Sequence, residues 1–371
     1  MSNLSFYVHI PYCVKRCGYC DFNTYTPAEL REGGTLETVS QGFVDSLIAE
    51  VTFASRTSTT TIPTIFFGGG TPSLMPAQEL GRVIELLKQR WEFTSDIEIT
   101  MECNPDTLTL QSLEEYRAIG INRISMGMQS ANQTVLQVLD RTHNPENVAK
   151  SVENARKAGF DNVSLDLIYG TPGETLEQWE SSVKTALSYT VDHLSAYALI
   201  VEDGTKLSAK IKRGEINKPD DDLMAQMYLS VDDLASKAGL TWYELSNWGR
   251  PAAHNLVYWQ NQNWWGLGPG AHSHIDGTRW WNVKHPSKYQ EKLAAFESPM
   301  QDREVLGETE KRDEKIMLQI RLREGIAKDE LTETQLKILE NYPEQVMSVN
   351  NRLVLTPQGR LIADRIVREL I

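Results

Sequence analysis

From residue 5 to residue 244 the sequence repeats one grammar: a short apolar run rich in β-branched and aromatic residues, a glycine-rich or polar cluster, then a segment with apolar residues at helical spacing. The runs at 5–10, 64–67, 97–101, 123–126, 163–168 and 194–199 predict strands, with a further one near 240–244. The segments at 43–53, 80–91, 110–119, 147–158, 176–189 and 224–238 predict the helices between them, the second announced by Pro76. Strands alternating with helices form right-handed βαβ units on a parallel sheet. Six such units make an incomplete (β/α)6 TIM-like barrel, the α/β fold class expected here; spacing alone leaves an open doubly wound sheet as the alternative. Residues 31–40, with Gly33-Gly34 and polar neighbours, read as a mobile loop.

Polar or glycine-rich clusters fall directly after these strands: Gly68–Pro72, Glu102-Cys103-Asn104-Pro105, Gly127-Met128-Gln129-Ser130, Asp166, and Gly170-Thr171-Pro172-Gly173. In a barrel that is the C-terminal face, where active sites are built. The stretch after the first strand carries the sharpest chemistry, because Cys13, Cys17 and Cys20 lie within eight residues. Soft thiolates select zinc, copper(I) or iron–sulfur clusters. Zinc would want a fourth ligand nearby, but position 22 is Phe22 and the remaining cysteine, Cys103, is distant in sequence. Three thiolates with an open coordination position suggest a reactive [4Fe-4S] cluster. Cys103 reads as a small buried side chain.

The chain has 371 residues, 40% hydrophobic and 23% charged, ordinary globular usage for a large domain with an appendage. A formal charge of −13 argues against a nucleic-acid partner. Thiolate ligands need a reducing compartment. The start, Met1-Ser2-Asn3-Leu4, lacks a basic n-region, and no stretch reaches ~18 apolar residues, so a cytoplasmic location is expected. Seven of the nine tryptophans lie between Trp242 and Trp281, together with His254, His272 and His274. Further on, helices at 311–322 and 329–339, a hairpin at 346–355 turning at Asn350-Asn351 and a helix from Pro357 suggest a mainly helical, winged-helix-like module. Over 310–371, Lys plus Arg and Asp plus Glu each number eleven, so the module lacks a DNA binder's charge and reads as a lid or docking surface. The expected division is a barrel over 1–240, an aromatic and histidine-rich segment over 241–286 and the C-terminal module over 287–371.

Tyr7-Val8-His9-Ile10-Pro11-Tyr12-Cys13, the CxxxCxxC spacing and Gly68-Gly69-Gly70-Thr71-Pro72 together resemble the radical S-adenosylmethionine (SAM) superfamily, within it the coproporphyrinogen-dehydrogenase-like group. The resemblance covers most of the chain. It implies that Cys13, Cys17 and Cys20 hold a [4Fe-4S] cluster whose open iron is chelated by SAM. It also implies that Gly69, Gly70 and Thr71 meet the SAM amino group, that Glu102, Gln129, Arg141 and Asp166 hold its carboxylate, ribose and polar parts, and that Tyr7 touches the adenine side. Any of these polar residues taken alone reads equally as a surface ion pair or a cap. Decarboxylating members carry a fourth cysteine where this chain has Phe22, and an N-terminal extension that it lacks. Cys20-Asp21-Phe22-Asn23-Thr24-Tyr25 instead resembles the HemW haem-chaperone branch.

His254-Asn255-Leu256-Val257-Tyr258-Trp259 matches that branch's HNxxYW pattern, which implies His254 as the haem ligand and puts residues 241–286 on the haem side. His272 and His274 stand second, and Gly266–Ser273 resembles a family turn expected to border the substrate. The resemblance thus implies haem as cargo and acceptor haem proteins as partners, membrane-associated respiratory proteins among them. It also implies an electron donor, and cluster or haem binding could couple to a homodimer. The second function it offers is an oxygen-independent coproporphyrinogen III dehydrogenase or another porphyrin-modifying radical enzyme.

Overall fold

The computed structural model describes residues 3–30, 36–55, 61–141 and 143–371, with only the backbone given for 36–41. Six parallel strands stand side by side in chain order: β1 (Ser5–Ile10), β2 (Thr61–Gly69), β3 (Glu92–Cys103), β4 (Arg123–Gln129), β5 (Val163–Tyr169) and β6 (His193–Ala198). A doubly wound sheet reverses its strand order at a switch point. No reversal occurs between β1 and β6, so the α/β architecture is the incomplete (β/α)6 barrel. Alternation sets its two layers. On β1, Phe6, Val8 and Ile10 are fully buried against the outer helices, while Ser5, Tyr7 and His9 face inward.

The outer layer includes Leu36–Ala54, Ala77–Arg90, Leu110–Ala118, Pro145–Lys157, Leu176–Ser188 and Asp221–Lys237. The first begins at Leu36, inside the stretch expected to be a loop; residues 31–35 of that stretch lie outside the described residues. The run near 240–244 does not add a parallel strand. It gives β7 (Trp242–Glu244), which turns back on β8 (Asn247–Gly249), and β8 runs antiparallel to β6. At the opposite edge β9 (Trp264–Leu267) pairs parallel with β1, followed by the antiparallel β10 (His272–Ile275), β11 (Thr278–Asn282) and β12 (Met300–Val305). The aromatic segment therefore extends the sheet at both edges.

Past Val305 a second core forms around Ile316, Ile320, Leu339, Leu355 and Ile366. It joins helices Glu308–Gln319, Glu333–Leu339 and Ala363–Leu370 to a small sheet of β13 (Ile326–Ala327), β14 (Val346–Val349) and β15 (Arg352–Leu355). Asn350 and Asn351, with φ 47° and 61°, make the tight turn of the β14–β15 wing. No helix among the described residues is long and apolar enough to cross a membrane.

Candidate functional site

The cysteine loop leaves β1 at Ile10 and is gripped on both flanks. On one side the N–H groups of Gly70 and Thr71 donate to the carbonyls of Ile10 (2.7 Å) and Tyr12 (2.8 Å). A Cβ on Gly70 would stand 2.5 Å from the Tyr12 carbonyl oxygen, so only glycine lets the end of β2 lie against the loop. Gly69, at φ 108°, donates its N–H to the Glu102 carboxylate (3.0 Å). On the other side the Asn23 amide donates to the carbonyls of Pro269 and Lys284, both at 2.9 Å. The turn carrying Pro269 is fixed in turn by Glu50, which accepts from the Gly268 N–H, Asn282 and Tyr289 and is pushed up to about 7 by burial. None of Gly266–Ser273 lines the cavity below; this turn props the cysteine loop through Pro269.

A cavity of about 660 Å³ opens at the C-terminal ends of the strands, with the three cysteines at its mouth. The Thr71 hydroxyl points at Cys13 Sγ (3.7 Å), and Arg141 Nη1 points at Cys17 Sγ (3.5 Å) while Nη2 donates to the Gly127 carbonyl (2.9 Å). Burial first, and after it neighbouring Cys20 and Cys17, push the Cys13 thiol up to about 11, so a metal-borne positive charge is what would hold it as thiolate. Donors aimed at sulfur fit an iron–sulfur cluster, whose properties depend on such bonds. Among the described residues no three His, Cys, Asp or Glu side chains converge as they would on a single metal ion.

Below the thiols the wall is polar. Glu102 is pushed up to about 7 by burial and by neighbouring Asp166. Asp166, itself raised by burial, accepts from Ser195 (2.6 Å), Ser125 (3.0 Å) and Ser164 (3.5 Å). Gln129 follows a bulge in β4 and sits at φ 62°, a left-handed conformation that a non-glycine residue adopts at a cost. These groups fit SAM: carboxylates for an ammonium and hydroxyls, and Arg141 for a carboxylate. The N–H groups of Gly69, Gly70 and Thr71 are all spent within the protein, so toward an ammonium these residues have their carbonyls and the Thr71 hydroxyl to offer.

Helix Ala253–Trp259 closes the floor, its first N–H groups donating to the Glu98 carboxylate (3.0 and 3.1 Å). It turns His254, Asn255 and Tyr258 into the cavity. His254 is 1% exposed and stacked on Phe66; its Nδ1 meets the Thr64 hydroxyl (2.7 Å) and its Nε2 the Tyr258 hydroxyl (2.9 Å). Burial, and after it Arg123, pushes its pKa down to about 3, so the imidazole is neutral.

Of the residues singled out from sequence, Cys13, Cys17, Cys20, Gly69, Gly70, Thr71, Glu102, Gln129, Arg141, Asp166 and His254 all line this one cavity. Tyr7 does not; it packs behind Phe66 with its hydroxyl on His9 Nδ1 (2.9 Å). Nor do His272, stacked on Trp281, and His274, held by the Gln262 carbonyl and the Gly277 N–H. Sequence reasoning missed Arg123, Ser125, His193, Ser195 and Tyr243 on the wall. The signal was present: Arg123, Ser125 and Gly127 recur every second residue on β4, the period of one strand face.

Residues 7–186 match the radical SAM superfamily model. The chain is 43% identical to the heme chaperone HemW of Mycobacterium tuberculosis, covering 98% of this chain and 94% of that protein. It is 32% identical to the heme chaperone HemW of Bacillus subtilis, covering 98% and 97%. Among solved structures the coproporphyrinogen III oxidase HemN of Escherichia coli superposes with a TM-score of 0.84 at 22% identity, covering 100% of this chain and 90% of that one, a likeness of fold.

Proposed function

Because this chain belongs to the HemW family of the radical SAM superfamily, we propose that it is a haem chaperone, binding haem and passing it to acceptor haem proteins. The observation that carries this reading is the likeness, over nearly the whole of both chains, to curated haem chaperones. Cys13, Cys17 and Cys20 would hold the [4Fe-4S] cluster, and Glu102, Gln129, Arg141 and Asp166 the polar parts of SAM. When bound, the two supply one-electron chemistry at the barrel mouth. The chain's own residues hold the loop, aim donors at its sulfurs and set the inner carboxylates on the cavity wall. Val14 and Phe22, 68% and 64% exposed, rim the cavity and give a flat apolar ligand a surface to slide over.

For the haem iron we assign His254 Nε2. Thr64 fixes Nδ1 and so orients the ring, burial keeps the imidazole neutral and so able to bind a metal, and the Tyr258 hydroxyl that meets Nε2 would have to give way.

The test is one anaerobically reconstituted preparation assayed in parallel for haem transfer to an apo haem protein and for decarboxylation of coproporphyrinogen III. Transfer without decarboxylation is expected. Decarboxylation without transfer would replace the chaperone by a dehydrogenase.

A further inference from the structure

One buried cation on the cavity wall has no partner among the described residues. Arg123 opens β4, is 2% exposed and lines the cavity, and its guanidinium makes no hydrogen bond or ion pair among the described residues. Several polar groups in its field are already engaged. His193 is held by Ser164 (2.7 Å) and Tyr243 (2.9 Å), His254 by Thr64 and Tyr258, and Asp166 by its serines. Arg123 nevertheless acts on several of them through its field, favouring the charged forms of Glu102 and Asp166 and the neutral forms of His193 and His254. A buried guanidinium left unpaired is costly, and its planar fork is built to take a carboxylate on two bonds.

We propose that Arg123 is the receptor for a ligand carboxylate at the barrel floor, and that the carboxylate it takes is a propionate of the tetrapyrrole cargo. The identity of that cargo rests on the haem-chaperone reading. The other arginine discussed on this wall, Arg141, stands at the mouth against Cys17 and the Gly127 carbonyl. Arg123 lies four residues before Gly127 on the same strand, about 13 Å along it at ~3.3 Å per residue. A SAM carboxylate placed against Arg141 therefore leaves Arg123 for another anion. His254 stands within the field of Arg123. One rigid disk that carries both an iron and propionates answers to both residues.

The experiment measures binding of haem, haem dimethyl ester and SAM to the reconstituted full chain, in the wild type, Arg123→Gln and Arg123→Lys. The wild type is expected to prefer haem over its diester by about ten-fold or more, Arg123→Lys to keep part of that preference and Arg123→Gln to lose it, with SAM affinity unchanged throughout. A SAM affinity that falls in Arg123→Gln while the diester preference persists overturns the propionate assignment and gives the carboxylate to SAM. Diester preference and SAM affinity both unchanged in a folded Arg123→Gln overturns the receptor altogether. Should the wild type bind no haem, the chaperone reading fails by itself and the propionate assignment with it, while the SAM arm still decides whether Arg123 receives a carboxylate.

Discussion

Tyr258 decides what His254 can do. Its hydroxyl occupies the ring nitrogen that an iron would need, while Thr64 holds the other. Tyr258→Phe removes that competitor, and one hydrogen bond is worth about 1 kcal/mol net. Haem should therefore bind up to about five-fold more tightly to Tyr258→Phe and at least ten-fold more weakly to His254→Ala, read by absorbance titration. Equal haem affinity in wild type and both variants would remove His254 as the ligand. Single residues were unevenly legible. The cysteines announce themselves because thiols are rare and their spacing is meaningful only for a metal. Arg123 announces only its strand face, shared with Ser125 and Gly127; an arginine before an apolar run otherwise looks like any solvated strand end, and only closure of the barrel shows it buried and unpaired. Tyr7 is the converse: alternation puts it on the inward face, and what only the fold shows is its stacking on Phe66 of β2, a strand far away in sequence.

At the level of elements, the end of β2 is a clamp. Gly70→Ala sets a Cβ against the backbone of Tyr12 rather than against a side chain that could swing away, so the cysteine loop must shift. The expected outcome is a folded protein whose reconstituted iron content drops to half or less, measured by iron and sulfide analysis with far-ultraviolet circular dichroism as the folding control. Full cluster loading in Gly70→Ala would mean that the loop is set elsewhere. The six parallel strands were readable because strands with apolar side chains on both faces write continuous apolar runs such as Ile65–Phe67. The strands β8 to β12 were not. Their tryptophans, histidines and short lengths carry no clean period, and β12 exposes all six of its residues, so nothing in it signals burial. What makes them strands is the free edge of a sheet whose other members are far away in sequence.

At the scale of the molecule, Arg360 helps to dock the C-terminal module, beside the Arg279–Glu314 ion pair (2.6 Å) and the Arg323 N–H on the Tyr243 carbonyl (2.9 Å). Arg360 places Nη1 and Nη2 on Asp232 of helix Asp221–Lys237 (2.8 and 2.5 Å) and lies over the ring of Trp242, 4.3 Å from its centroid. Asp232 also accepts from Trp248 Nε1 (2.8 Å). Breaking a pair this buried costs about 3 kcal/mol, and Lys restores neither the fork nor the stack. In denaturant titrations Arg360→Ala and Arg360→Lys should both release the module, with its own core, in an earlier transition than the barrel. A single transition at the wild-type midpoint would show that the dock lies elsewhere.

The placement of β1 between β2 and β9 has a consequence in time. Its second neighbour is not made until the ribosome has passed Leu267, and the Asn23 amide lacks its second acceptor until Lys284 has emerged. At ~5–20 residues per second, the thiols at positions 13 to 20 spend on the order of ten seconds or more on a nascent chain, ungripped on one flank. Through that interval they are open to oxidants as well as to iron. If the thiols take the cluster proposed above, strand order would delay its completion until after synthesis, and conditions that slow synthesis of the middle of the chain should yield more protein without iron even when iron is plentiful.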